Sequence, residues 1–275
     1  MVSLAGASRP PVQPPLDVPA LLRRLLDDDP GRPRLTWYGP AGERVELSAK
    51  VLDNWVAKTA NLLVDELDAG PGSRVAIVLP AHWRTACWLL AVWSVGGCAT
   101  VGVGTGGADV LVTADPAVLA AASRAAASPA GASQAAAARA AAAVTAVAVA
   151  LPALATSFGP DLPDGAVDAA IEVRAHGDVF VPFVRPAPGD PALETAGGLL
   201  LNHGELLPAA ARAADDNRLG PRVRLLTGTG PDQCVRTLLA PLIRLGSVVL
   251  HHDLAGLDDD TLAGLRSQEG ITAQL

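Results

Sequence analysis

Apolar positions along this chain follow two different periods, and the switch between them outlines the fold. Val51, Leu52, Trp55, Val56, Leu62, Leu63 and Leu67 recur every three to four residues. That spacing predicts a long amphipathic helix, capped by Ser48 and stopped by Gly70-Pro71-Gly72. Residues 74–79 (RVAIVL) are instead a continuous apolar run, the habit of a strand buried on both faces of a parallel sheet. From His82 to Val95 the chain is apolar nearly all round, which predicts a helix sandwiched between layers. Gly96-Gly97 ends it, and strands are expected at 98–103 and 110–113. This β-α-β alternation predicts an α/β fold: a mostly parallel, layered sheet with flanking helices and right-handed crossovers.

The flanks fill in the same pattern. A short helix is expected at 16–28, then a hairpin of strands 34–38 and 44–47 around Gly39-Pro40-Ala41-Gly42. Residues 1–15, rich in proline and small residues, read as a disordered tail, leaving 16–275 as one domain. The stretch 114–143 is alanine-rich and of low complexity. Beyond it, a strand is expected at 144–151, a helix at 164–175 and an extended piece at 179–184. In the last third, Asn202 with Glu205 three residues on forms a capping box. Strands at 222–226, 247–250 and 271–274 then alternate with helices at 232–245 and 258–267.

Composition narrows the function classes. Half of the 275 residues are hydrophobic but only 3% are aromatic, so much of the apolar count is alanine. All five tryptophans (Trp37, Trp55, Trp83, Trp88 and Trp93) lie in the first third, where the best-packed core is expected. A formal charge of −7 without a basic run argues against nucleic-acid binding. Lys50 and Lys58 are the two lysines; the arginine bias, with the alanine excess, points to a GC-rich bacterial genome. The N-terminus has no continuous apolar signal segment, and the longest apolar run, 140–151, is too short for a bilayer. A cytoplasmic protein with no membrane association is the expectation. Cys87, Cys98 and Cys234 are widely spaced without a CxxC and read as buried free thiols.

Few residues offer chemistry. GVGTGG (102–107) spells a dinucleotide fingerprint, but a strand-like segment follows where a phosphate-binding helix is required. A better anion candidate is the strand-to-helix turn Thr227, Gly228, Thr229 and Gly230, where backbone N–H groups and two hydroxyls could converge. Arg222, Arg224 and Arg236 are near it in sequence, although an ordinary β-α turn accounts for the same residues. His251-His252-Asp253 invites metal binding or acid-base work, yet adjacent histidines at a strand end face opposite ways. His203 reads as part of a surface turn. No metal site and no catalytic residue are assigned.

Four stretches, in order, resemble the adenylate-forming enzymes of the acyl-CoA synthetase type. They are RVELSAKVLDNWVAKTANLLVDEL, GPGSRVAIVLPAHWRTACWLLAVWSVGG, LLLNHGELLPAAA and LLAPLIRLGSVVL. The resemblance implies the N-terminal scaffold of enzymes that activate a carboxylate with ATP and Mg²⁺, then usually pass it to coenzyme A. It does not carry the chemistry over. Where the family has a Ser/Thr/Gly-rich phosphate loop ending in Pro-Lys, this chain reads DPALETAGGLLLNHGELL, with no lysine. The family's histidine-bearing PLxH segment is replaced by residues 228–233, and its catalytic C-terminal domain is expected to be missing.

The expectation is therefore a truncated, degenerate relative: a non-catalytic protein with a binding or regulatory role and no cofactor. The alternative is a divergent ligase or half-enzyme, and only then would ATP, AMP or coenzyme A bind. A homo-oligomer or protein partner is expected, because the apolar face of the 232–245 helix (Cys234, Val235, Leu238, Leu239 and Leu242) is expected to be left uncovered.

Overall fold

A computed structural model describes residues 15–127 and 144–275. The expected tail lies almost entirely outside the described residues, as does the second half of the alanine-rich stretch. The order is α1 (Val18–Asp28), β1 (Pro33–Tyr38), β2 (Arg44–Ser48), α2 (Ala49–Asp65), β3 (Arg74–Val78), α3 (Trp83–Val95), β4 (Cys98–Val101) and β5 (Val110–Thr113). Next come α4 (Pro116–Ala127), β6 (Thr145–Ala148), β7 (Val167–Asp168), α5 (Ala169–Ala175), β8 (Pro191–Thr195), β9 (Leu200–Asn202) and α6 (His203–Asp216). The chain ends with β10 (Arg224–Thr227), α7 (Ala240–Ile243), β11 (Ser247–His251), α8 (Asp259–Glu269) and β12 (Ala273–Gln274).

Two sheets result. One has seven strands in the order β7-β6-β5-β3-β4-β8-β9, parallel except for the β8–β9 hairpin. The other has five, β12-β10-β11-β1-β2, parallel except for the β1–β2 hairpin. Between them lies the main core, and α3 is its axis: all thirteen of its residues are buried. A helix with no polar face is stable only when both sides meet apolar surface. Trp37, Trp83, Trp88 and Trp93 are all buried in this layer, as composition predicted. On the outer faces, α4 covers Ala146 and Ala148 of β6, and α8 covers Leu226 and Val249.

Local signals set the element ends. Asp17 caps α1 by accepting the Ala20 amide at 2.7 Å, and Ser48 caps α2 through the Val51 amide at 3.2 Å. Gly96 closes α3 in the left-handed region (φ 84°), where a side chain would be strained and would also press on Pro186 at 3.0 Å. Both halves of the capping box at α6 form: Glu205 N–H donates to Asn202 Oδ1 at 2.9 Å, and Asn202 N–H to Glu205 Oε2 at 3.1 Å. Asn202→Ala is expected to cost about 1 kcal/mol, read as an unchanged urea slope with a lower midpoint.

Several expectations are corrected. The predicted helix 164–175 begins as the edge strand β7, because Asp168 caps α5 by accepting the Ala170 amide and also holds the Phe158 amide. Residues 179–184 join no sheet; Val179, Val181, Phe183 and Val184 are exposed. Val51 lies on the outer side of α2 and is exposed.

The predicted helix 232–245 is broken into a 3₁₀ turn (Pro231–Gln233), a π turn (Val235–Leu239) and the short α7. Pro241 has no N–H to give Thr237, so the ladder widens just before it, and Ala240 N–H reaches back to Val235 O. The face expected to be uncovered is closed: Cys234, Val235, Leu238, Leu239 and Leu242 are all buried.

Candidate functional site

In the seven-stranded sheet β3 is laid down first, β4 adds on one side and β5 on the other. The connections that leave β3 and β5 therefore part over the carboxyl ends of these strands. In open α/β sheets that switch point is where ligands bind. A crevice of about 810 Å³ opens there, lined by the ends of β3 (Ile77 to Pro80) and β4 (Val101 to Gly104). Ala114, Asp115, Leu151, the Ala196-Gly197 turn and Pro231-Asp232 complete it. The volume suits a small-molecule site.

Its charge is one-sided. Among the described residues two carboxylates, Asp115 and Asp232, lie in the lining, and no lysine, arginine or histidine does. Asp115 is occupied as the cap of α4, accepting the Ala117 amide at 2.8 Å. GVGTGG supplies Gly102 and Gly104 to the wall and then runs into β5, with no helix behind it.

Residues 195–199, inside the stretch DPALETAGGLLLNHGELL, form the turn of the β8–β9 hairpin. Thr195 N–H donates to Leu199 O at 3.0 Å, and Gly198 N–H to Thr195 O at 2.9 Å. Leu199 N–H donates to Thr195 Oγ1 at 3.3 Å, while Ala196 N–H is held by Val101 O at 2.9 Å. Of the three turn amides from Ala196 to Gly198, Ala196 is thus bonded to β4 and Gly198 within the turn, which leaves too few converging donors among the described residues to cradle a phosphate. The hairpin runs straight into α6.

Thr227, Gly228, Thr229 and Gly230 follow β10 at the corresponding edge of the five-stranded sheet. The two hydroxyls share a bond at 3.0 Å, and Thr227 Oγ1 also accepts the Thr229 amide at 3.3 Å. Glycine at 228 is required by close approach: a Cβ there would lie 2.7 Å from the Cβ of Leu254. The helix that follows opens with only a three-residue 3₁₀ turn, and Asp232 sits in it. Arg222 and Arg224 lie at the opposite end of β10; Arg222 pairs with Asp28 at 2.6 Å, and Arg224 with Glu269. Thr227, Thr229 and Gly230 instead face an apolar cavity of about 40 Å³, shared with His82, Cys234 and Leu238.

The histidines are placed by tertiary contacts that sequence could not supply. His82 caps α3: its Nδ1 accepts the Arg84 amide at 3.1 Å, leaving the ring proton on Nε2. Burial, reinforced by the Arg84 charge, pushes its pKa down to about 3, so the ring is neutral. His203 is half-buried at the start of α6; its Nε2 meets Gly96 O at 3.1 Å, and burial lowers its pKa. His251 and His252 do not face opposite ways, because β11 ends at His251 and the chain turns; their rings stack at 5.0 Å. Among the described residues no group of three or more His, Cys, Asp or Glu side chains could hold a metal ion. Cys87, Cys98 and Cys234 are buried free thiols, with Cys87 and Cys234 pushed up to about 12 by burial.

No protein-family profile matches the chain. It is 40% identical over 236 residues to a TIGR03089 family protein of Mycobacterium tuberculosis (strain ATCC 25618 / H37Rv), covering 84% of this chain and 87% of that relative. The chain belongs to the TIGR03089 family.

Solved structures place this TIGR03089 member in a wider fold group. The Brucella canis acyl-CoA synthetase superposes with a TM-score of 0.68 at 18% identity, over 92% of this chain and 46% of its own. A Mycobacterium tuberculosis fatty acyl CoA synthetase gives 0.65 at 17% identity, over 94% and 48%. The N-terminal domain of FACL13 from the same organism gives 0.67 at 17%, over 94% and 62%. The TIGR03089 chain thus has the α/β fold of the N-terminal region of acyl-CoA synthetases, and spans about half the length of the two full synthetases. Among its described residues no helix is long and apolar enough to cross a membrane.

Proposed function

We propose that this TIGR03089 protein uses the acyl-CoA synthetase scaffold without adenylation chemistry, in a binding or regulatory role centred on the switch-point crevice. One observation carries the reading. Among the described residues the crevice is walled by apolar groups, glycine backbone and two carboxylates, and no cation stands where a triphosphate would need one. Adenylation builds charge on the β- and γ-phosphates, and electrostatic stabilisation of such charge is typically the largest catalytic contribution. The crevice instead suits a neutral or cationic, partly apolar ligand.

Purified protein with ATP, Mg²⁺ and a panel of carboxylic acids is expected to show no carboxylate-dependent ATP–pyrophosphate exchange above a protein-free blank. Robust exchange with any acid would overturn the proposal and mark a divergent ligase. Thermal shift against ATP, AMP, coenzyme A and acyl-CoAs, run in parallel, identifies any ligand that binds without turnover, since native-state binding raises stability by RT ln(1 + [L]/Kd).

A further inference from the structure

The helical layer between the sheets holds a cation with no ion-pair contact among the described residues. Arg84, the second residue of α3, is 6% exposed. Its Nε and Nη2 are buried with no hydrogen-bond partner among the described residues. Asp168 acts on it only through space, its two oxygens being bonded to the Phe158 and Ala170 amides. The guanidinium lies 4.5 Å from the Trp83 ring centre and 5.9 Å from that of Trp55. Those cation–π contacts offset part of the cost of removing a full charge from water, but not all of it. Burial pushes the Arg84 pKa down to about 10, which still leaves it charged at neutral pH.

A cavity lies beside it. About 20 Å³ of space is lined by Arg84, Trp83, Trp55, Thr59 and Cys87, with Val173 of α5 and Val149 just past β6. Trp83 contributes a second anomaly: its Nε1–H is also buried without a partner. The hydroxyl in the lining, that of Thr59, already donates to Trp55 O at 2.8 Å. A cavity needs roughly 10–15 Å³ to admit one water, so this one suits a single small guest. Water would satisfy an N–H but leave the charge uncompensated. A monovalent anion does both, and α3 adds the positive end of its dipole.

We propose that this cavity is a buried site for one halide-sized anion, held by the Arg84 guanidinium and the Trp83 indole N–H. The anion is structural: it neutralises the arginine and fixes the start of α3, whose cap, His82, faces the neighbouring cavity. The site is independent of the crevice and of any activity there.

Melting of the full chain in sodium gluconate, chloride and bromide at matched ionic strength tests it. The melting temperature is expected to be higher in the halides and to rise with their concentration, by about 3–6 °C at ten times Kd for a chain of this size. Any general stabilisation by the excluded, strongly hydrated gluconate runs the other way, so the order of salts is diagnostic. Arg84→Met should abolish the halide dependence. Should that variant fail to fold, bromide-soaked crystals of the unaltered protein give a second reading, an anomalous peak in hydrogen-bond contact with Arg84. Equal melting in all three salts, a halide response retained by Arg84→Met, or crystals without bromide in this cavity would each overturn the assignment.

Discussion

Trp93→Ala is expected to remove about 3–5 kcal/mol of stability, the usual cost of emptying a buried tryptophan site. Trp93 is 2% exposed in the last turn of α3, the helix that is pressed between the two sheets. The backbone on both sides is fixed by strand pairing, so little collapse into the void can occur. Its Nε1–H also donates to Ala192 O at 2.9 Å, which ties α3 to β8, the strand that leads into the 195–199 turn. Truncation leaves that carbonyl unpaired as well as opening a cavity. Urea titration followed by far-UV circular dichroism gives the loss directly. A value under about 1 kcal/mol would mean that this core repacks freely, against the close packing described above.

Glu269→Ala is the second large effect, expected at about 3 kcal/mol, the lower end of the range for breaking a buried ion pair. The Glu269 carboxylate is 4% exposed and accepts from Tyr38 OH, from Arg44 and from Arg224, joining the end of α8 to β1, β2 and β10. Removing it strands Arg224, whose side chain is only 18% exposed, while Arg44 at 38% can turn to water; hence the lower figure.

Acid should expose the same network. Burial alone would raise the Glu269 pKa, but the hydrogen bonds from Tyr38, Arg224 and Arg44 outweigh it and hold the group below its ordinary value of 4.5. A depressed carboxylate contributes stability that is fully present above the unfolded pKa and fades as pH falls through the folded one. The protein should therefore lose stability below about pH 4.5, and Glu269→Gln should flatten that limb of the curve. A variant with the wild-type acid slope would assign the loss to other carboxylates, of which Asp28, held down chiefly by its hydrogen bond from Arg34, is one.

The sequence by itself determined the order and type of most elements, because their signals are local. A run such as RVAIVL can satisfy its apolar side chains only as a doubly covered strand, and the all-apolar stretch 82–95 only as a sandwiched helix. Caps at Ser48 and Asn202 were legible because a side chain bonds a backbone three residues away.

What tertiary structure decided depends on distances that cross the chain. Local periodicity cannot show that Pro241 would force a π turn, or that the apolar face from Cys234 to Leu242 is covered by the rest of the core. The switch-point crevice exists only because β4 and β5 flank β3, so segments from 77 to 232 meet at one edge. The uncompensated Arg84 was equally hidden. An arginine at the second position of an apolar helix looks able to reach solvent until α2, α5 and the segment after β6 close over it, and burial, set by packing rather than by sequence neighbours, is what turns an ordinary cation into a site.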